Sequence, residues 1–300
     1  MTRRIISNYS AALFVFFSLV FVLSCKKENS TSDAEQEQAS LASSEGDVQA
    51  EETFNNTFDD VMGANNDVGI SGTGIFFGRS DTLVTGVPPC FTVTITHPST
   101  SFFPVIIVVD FGTTGCTGPD GRTRRGKVRT EYTARLINPG AVATTTFDGY
   151  YVNDVHVEGT HRITNITAAN TAQRKFKVEV IDGKLTRPNG NYVKWNSTKT
   201  VTQVEGNATA TPLDDIYKIE GGAHGQALRG NLLVAWESTI TEPLYKRVTC
   251  RWIVRGKIKT VRISSTTANS WVAVLDFGNG TCDDQAVITI NGVSHQITLP

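Results

Sequence analysis

From residue 69 onward the chain alternates apolar and polar side chains with a period of two. The clearest stretch is Lys127-Val-Arg-Thr-Glu-Tyr-Thr-Ala-Arg-Leu136. Its valine, tyrosine, alanine and leucine share one face, and its charged side chains lie on the other. A period of two with one charged face is typical of a half-buried antiparallel strand. The pattern therefore predicts strands rather than helices.

Turn signals separate these alternating stretches. Asp182-Gly183 and Asn291-Gly292 each predict a tight hairpin, because both pairs accept positive φ. Pro188-Asn189-Gly190 predicts a turn before a strand over residues 192–205. The series predicts an all-β domain, a long antiparallel meander of hairpins. Because open sheet edges promote aggregation, we expect the meander to close or curve into a barrel-like or two-layer sandwich domain.

Two similar segments stand near the ends of this series. VVDFGTTGC occupies residues 108–116, and VLDFGNGTC occupies residues 274–282. Each is an apolar strand that runs into Asp-Phe-Gly, a short loop and a cysteine. Each also follows an earlier cysteine, Cys90 in the first copy and Cys250 in the second. The repetition indicates a duplicated unit of two strands.

The four cysteines of these units predict two disulfides. Three connectivities are open to four cysteines. Because each pair brackets one copy of the unit, we predict that Cys90 pairs with Cys116 and Cys250 with Cys282. A strand that turns and returns would place each pair about 5–6 Å apart between Cα atoms, as a disulfide requires.

The N-terminus predicts export and lipidation. Arg3 and Arg4 precede an apolar run over residues 11–23, which is too short for a membrane span and suits a signal peptide. The run ends at Val22-Leu23-Ser24-Cys25, which resembles a lipobox. We therefore predict a lipoprotein signal over residues 1–24, with diacylglyceryl and palmitate on Cys25. The alternative is an ordinary secretory signal with an incidental cysteine.

The residues after Cys25 predict which membrane holds the lipid anchor. Lys26 stands where aspartate commonly retains lipoproteins in the inner membrane, so we expect the outer membrane. Lys27-Glu28 only partly resembles a surface-export signal, since Asn29 replaces the second acidic residue. The sequence therefore leaves the periplasmic and the cell-surface face both open.

The balance of acidic and basic residues differs between two parts of the chain. Residues 26–68 hold 11 acidic and 2 basic side chains, whereas residues 69–300 hold 18 acidic and 24 basic ones. An acidic segment with few apolar groups is typical of disorder. We therefore expect a lipidated cysteine with a disordered acidic tether over residues 25–68, followed by one β domain over residues 69–300.

The densest basic cluster contains Arg122, Arg124, Arg125 and Lys127. Guanidinium groups bind carboxylates and phosphates well, so this cluster is the candidate site for an anionic sugar or a lipid phosphate. The alternative is a solvated turn that leads into a strand.

Catalytic and metal sites find little support. Asp110 and Asp276 form a candidate carboxylate pair, but each also suits a turn cap before Phe-Gly. Asp154, His156 and Glu158 share one strand face, where a polar solvent face is the simpler interpretation. We therefore predict no catalytic residue, no metal site and no cofactor.

Several segments together resemble a family of uncharacterised outer-membrane lipoproteins of Bacteroidota. Besides the lipobox, the acidic segment and the duplicated units, they are CDDQAVITINGVSHQITL (282–299), GPDGRTRRGKV (118–128), FDGYYVNDVHVEGT (147–160) and VKWNSTKT (193–200). The resemblance spans nearly the whole chain. It implies an envelope location and β architecture, and it assigns no functional residue.

Three functions follow from these observations as hypotheses. The first is an envelope lipoprotein with a non-enzymatic binding or structural role at the outer membrane. The alternative is a carrier of an apolar ligand, a lipid or pigment, in a curved sheet. The third is an envelope enzyme that acts on glycans. The expected partners are the membrane, through the lipid, and an envelope glycan, lipid or protein. Nucleic acid is not expected for a lipid-anchored protein.

Overall fold

The computed structural model describes residues 29–62, 90–118, 121–209, 212–263 and 272–299. The predicted signal, Cys25 and the predicted domain boundary at residue 69 lie outside these ranges. Within them the chain forms one long helix, α1 (Asn29–Met62), and fourteen strands.

The strands, numbered in chain order, are β1 (Thr92–Thr96), β2 (Val105–Asp110), β3 (Cys116–Thr117), β4 (Thr123–Tyr132), β5 (Val142–Val152), β6 (Val155–Asn165), β7 (Lys175–Thr186), β8 (Tyr192–Glu205), β9 (Ile216–Arg229), β10 (Leu232–Arg247), β11 (Ile253–Arg262), β12 (Val272–Asn279), β13 (Gln285–Ile290) and β14 (Val293–Thr298). A short 3-10 helix at Pro212–Asp214 precedes β9.

All fourteen strands belong to one antiparallel sheet. Neighbours in the sheet follow chain order from β1 to β14 with one exception. The short β3 does not pair with β2, and both β2 and β3 pair with β4. Within the described ranges, no pairing joins β1 to β14, so the sheet curves without closing its hydrogen-bond ladder. The predicted all-β meander is confirmed, and Asn291-Gly292 forms the hairpin between β13 and β14.

Helix α1 contradicts the predicted disordered tether. The segment from Asn29 to Met62 is helical, and it contacts every strand from β6 to β13. From Ala39 to Phe58 most of its side chains are buried. A single helix can touch eight strands of one sheet only if the sheet curves around it. The helix therefore fills the concave face and shares the core of the β domain.

The spacing of small and aromatic residues explains how α1 fits there. Ala42, Gly46, Ala50, Phe54 and Phe58 recur every four residues and so form one stripe along the helix. Alanine favours the helix and lets the sheet approach closely. The two phenylalanines extend the stripe into the aromatic core.

The close approach is tightest at one indole. A Cβ added at Gly46 would lie 3.1 Å from Cη2 of Trp236, which is fully buried in β10. Further along, the Phe54 ring stacks on Trp195 of β8 with 5.7 Å between the ring centroids. Helix and sheet thus pack as one core.

Asp47 of α1 explains how the sheet accepts a polar helix. Its Oδ1 accepts hydrogen bonds from Nε1 of Trp195 at 2.7 Å and Nε1 of Trp236 at 3.1 Å. The Ser238 hydroxyl donates a third, at 3.0 Å. A buried carboxylate that accepts several hydrogen bonds is tolerated in a protein interior.

Two further acidic residues of α1 have cationic partners on the sheet. Glu51 forms an ion pair with Lys199 of β8, and both side chains are buried. Glu45 pairs with Arg229 at the end of β9. The disorder prediction failed because it considered the acidic segment alone, whereas the basic sheet supplies the complementary donors.

Both predicted disulfides are present. Cys90 and Cys116 have Cα atoms 5.4 Å apart, and those of Cys250 and Cys282 are 5.8 Å apart. One predicted hairpin is wrong. Asp182-Gly183 lies inside β7, where the register against β8 shifts and the Asp182 N–H donates to Asn196 Oδ1 at 2.8 Å. Positive φ at Asp182 here belongs to a β-bulge.

Candidate functional site

The structure divides the predicted basic cluster, which lies on β4 and the residue before it, between the inner and the outer side of the sheet. Arg122 and Arg124 point inward and are only 7% and 3% exposed. Arg125 instead lies over the Tyr151 ring, 3.3 Å from its centroid, and Lys127 pairs with Asp110 at 3.2 Å. The cluster is therefore not one site, and only its first two arginines face the interior.

Ordinary alternation along β4 causes this division, because Arg124 lies one position before Arg125 and three before Lys127, and so on the opposite face. Gly126 lies between the two outer residues. It has a φ of +84°, and the register between β4 and β5 shifts at this position. A Cβ there would lie 1.9 Å from the Gly149 carbonyl oxygen, so no other residue fits. The extra residue of the bulge lies in β5, where the step from Tyr151 to Asp148 is one residue longer than the facing step from Arg125 to Lys127.

Arg122 and Arg124 line a cavity of about 500 Å³ between α1 and the sheet. A volume of this size is typical of small-molecule sites. The helix forms one wall with six polar residues that share a face: Gln49, Glu52, Thr53, Asn56, Thr57 and Asp60. The opposite wall comes from β4, β5, β6, the β7–β8 turn and the loop after β10.

Cationic groups outnumber anionic ones around this cavity. Among the described residues, its lining includes the guanidinium groups of Arg122, Arg124, Arg187 and Arg251, and two carboxyl groups, those of Glu52 and Asp60. An excess of guanidinium groups in a partly desolvated space attracts anions.

Two of the arginines are held by neighbours. Arg187 donates to Gln49 Oε1 at 2.9 Å, and Arg124 hydrogen-bonds the Tyr150 hydroxyl. Burial raises the pKa of Tyr150 well above its ordinary value, so the phenol stays protonated. Orientation by neighbours makes a guanidinium a better-organised anion ligand.

Glu52 is the most unusual group in the cavity wall. Its side chain is 5% exposed, and neither carboxyl oxygen has a hydrogen-bond partner among the described residues. Burial raises its pKa to about 7, although the charges of Arg122, Arg251 and Lys246 oppose that shift. Near neutral pH the carboxyl group is thus present in both protonation states.

The two carboxyl groups of the cavity are poorly placed for glycoside hydrolysis. Glu52 and Asp60 are eight residues apart on one helix, which separates their backbones by about 12 Å at the usual helical rise. Glycosidase carboxyl pairs lie roughly 5–9.5 Å apart. The arrangement suits binding better than acid–base hydrolysis.

The candidate carboxylates of the duplicated units have structural roles. Asp110 Oδ1 accepts the Gly112 N–H, and Asp276 Oδ1 accepts the Gly278 N–H, each at 2.9 Å. They lie in β2 and β12, near opposite ends of the sheet, so they do not converge. The Gly112 hydrogen bond is the main cause of the lowered pKa of Asp110.

The duplicated units share a further element that the sequence analysis missed. Arg-Gly-Lys-Val-Arg-Thr (125–130) in β4 and Arg-Gly-Lys-Ile-Lys-Thr (255–260) in β11 are similar. Each lysine lies opposite the aspartate of its unit, Lys127 beside Asp110 and Lys257 beside Asp276. The internal similarity is a feature of the scaffold.

The polar side chains near the start of β6 do not form a metal site. Asp154 lies in the turn with positive φ, and His156 Nδ1 is 3.6 Å from Glu158 Oε2. Glu158 also pairs with Lys184 at 3.4 Å. In the parts of the chain that the structure describes, no three His, Cys, Asp or Glu side chains cluster as metal ligands.

Sequence reasoning missed Glu52, Arg187 and Arg251. Glu52 lies in the segment assigned to disorder, and the two arginines come from loops that are distant in sequence. The stripe of small and aromatic residues at every fourth position of α1 is the signal that predicts the helix and thus its opposite, polar face.

Comparison of the chain with family models, curated proteins and solved structures found no match in any of the three. Among the described residues, no helix is long and apolar enough to cross a membrane.

Proposed function

We propose that this protein is an envelope lipoprotein that binds a small anionic molecule, without catalysis, in the cavity between α1 and the sheet. The observation that carries the proposal is the set of four arginines around a cavity of about 500 Å³, against two carboxyl groups in the described part of its lining. The polar lining also distinguishes this site from one for an apolar lipid or pigment, whose place in the concave face α1 occupies.

The lipid anchor and the outer-membrane location belong to the same proposal. They are supported by the lipobox-like sequence at Cys25 and by the residues that follow it. Three residues separate Cys25 from the start of α1, and ten helical positions, about 15 Å, separate Asn29 from the buried Ala39. The anchor would therefore hold the β domain close to the membrane rather than on a long tether.

Fractionation of a Gram-negative host that expresses the protein tests the anchor. Cys25→Ala should move the protein from the membrane to the periplasmic fraction. If the variant stays in the membrane as fully as the unaltered protein, the anchor proposal is wrong.

Calorimetric titration tests the anion site. We expect glucuronate and glucose 1-phosphate to bind more tightly than neutral glucose. Arg122→Gln should weaken binding roughly 10- to 100-fold, because a charged hydrogen bond contributes about 1.5–3 kcal/mol.

Arg125→Gln is the matched control, since it removes the same charge three residues further along the chain, on the outer face of β4. It should leave the affinity unchanged. Equal losses in both variants, or equal binding of charged and neutral sugars, would contradict the proposed site.

A further inference from the structure

Glu52 lacks a hydrogen-bond donor for its carboxyl group among the residues that the structure describes. Its carboxyl group is buried, faces the cavity and has no hydrogen-bond partner on either oxygen among the described residues. A buried polar group without a partner costs free energy, so unpartnered groups in a cavity wall commonly meet a ligand.

The sheet side of the cavity offers mainly donors. Besides the arginines, Asn153 and Asn189 line it with amide groups. The side-chain Oδ1 of Asn153 accepts the Thr123 N–H at 3.0 Å, and Oδ1 of Asn189 accepts the Asn191 N–H at 3.1 Å. The amide nitrogen is therefore what each of these side chains can offer to a ligand.

The two sets of groups need complementary partners on one molecule. Guanidinium and amide donors require acceptors, best supplied by an acid group. The Glu52 oxygens require a donor beside that acid group. A hydroxyl group both donates and accepts hydrogen bonds, so a hydroxylated ring satisfies a wall of mixed donors and acceptors.

We propose that the ligand is a sugar acid, whose acid group lies against Arg122 and Arg251 and whose ring hydroxyls donate to Glu52. This inference rests on the proposed anion-binding function and adds the chemical class of the ligand. Glu52 is the residue that determines specificity. Its carboxylate accepts a hydroxyl donor, and it repels an anion that has none.

The affinity ranking of the intact chain tests this assignment without any substitution. At pH 8, glucuronate offers both an acid group and hydroxyl donors, glucose only the hydroxyls, and sulfate only the charge. We expect glucuronate to bind at least tenfold more tightly than either of the other two.

Glu52→Gln then tests the role of the carboxylate. It should weaken glucuronate binding about tenfold, since a charge-assisted hydrogen bond is lost, and it should leave sulfate binding equal or tighter. The preference for glucuronate over sulfate thus falls at least tenfold. Glu131→Gln removes a carboxylate from the outer part of β4 and should leave that preference unchanged.

The outcomes separate the two proposals. If sulfate binds as tightly as glucuronate, the anion site stands and the sugar-acid assignment is overturned. If neither binds, both proposals fail. Titration with a methyl glycoside of glucuronic acid distinguishes two sources of the ligand, the end of a glycan chain and the free sugar acid. Retained affinity indicates the end of a glycan chain and lost affinity indicates the free acid, and either result supports the assignment.

Discussion

Glu51 and Glu52 are consecutive residues of α1, both are buried, and their surroundings are opposite. Glu51 meets the ammonium group of Lys199 in β8. Glu52, about 100° further round the helix, faces a cavity and has no hydrogen-bond partner among the described residues. Burial alone therefore does not assign a role to a charged group. The side of α1 that meets the sheet holds the helix in place, and the side that meets the cavity is available to a ligand.

The largest effect should come from the side that holds the helix. Asp47→Ala removes the common acceptor of Trp195, Trp236 and Ser238. Two buried indole donors would lose their partner, and the Ser238 hydroxyl would keep only its longer bond to Ala223 O at 3.4 Å, so we expect a loss of about 4 kcal/mol in the free energy of unfolding. Urea unfolding measures it. Asp47→Asn keeps one acceptor oxygen and should lose less. An unchanged midpoint for Asp47→Ala would show that this contact does not hold α1.

The same substitution at the two neighbouring glutamates gives the sharpest form of the comparison. Glu51→Gln should destabilise the protein by about 3 kcal/mol, because breaking a buried ion pair leaves the other charge uncompensated. Burial lowers the pKa of Lys199 to about 7, so the amine can release its proton and thereby limit the loss. Urea unfolding at pH 6 and pH 8 should therefore show the smaller loss at pH 8. A stabilising effect of Glu51→Gln would contradict the account.

Glu52→Gln should stabilise the folded protein at pH 8, whereas Glu51→Gln should destabilise it. The pKa of Glu52 is raised in the folded state from 4.5 to about 7, so the folded protein binds this proton more tightly than the unfolded chain. The resulting stability is fully present below pH 4.5 and is lost as the pH rises through 7. Glutamine stays neutral, so the variant should match the unaltered protein at pH 4.5.

At pH 8 the Glu52→Gln variant should be more stable by about 2–3 kcal/mol, from a shift of this size. The difference in unfolding free energy between variant and unaltered protein isolates Glu52 from other titrating groups. A difference that does not change between pH 4.5 and pH 8 would mean that Glu52 is not desolvated.

The local patterns of the sheet could be predicted from the sequence. Strand β8 has the predicted bounds, and Asn291-Gly292 makes the predicted hairpin, because alternation and positive φ act over a few residues. The hairpin predicted at Asp182-Gly183 is wrong because the same local signal, a positive φ, has two interpretations. A positive φ suits a hairpin and a bulge equally, and only the pairing of β7 with β8 distinguishes them.

The helix and the site could not be predicted in that way. The acidic composition around Asp47 indicates disorder when the segment is considered alone, whereas the donors that stabilise it come from residues about 150–190 positions later. The cavity likewise combines Arg122 and Arg251 from distant loops with one face of α1. Such complementarity appears only when the chain is folded.

Hydrogen exchange of the intact protein, followed by mass spectrometry, tests most directly whether α1 is held inside the curved sheet. Backbone amides over residues 42–58 should exchange as slowly as those of β8 and β9, because they open only when the helix leaves the core. Exchange of this segment at the rate of an unstructured peptide, while the strands stay protected, would contradict the account and remove one wall of the proposed site.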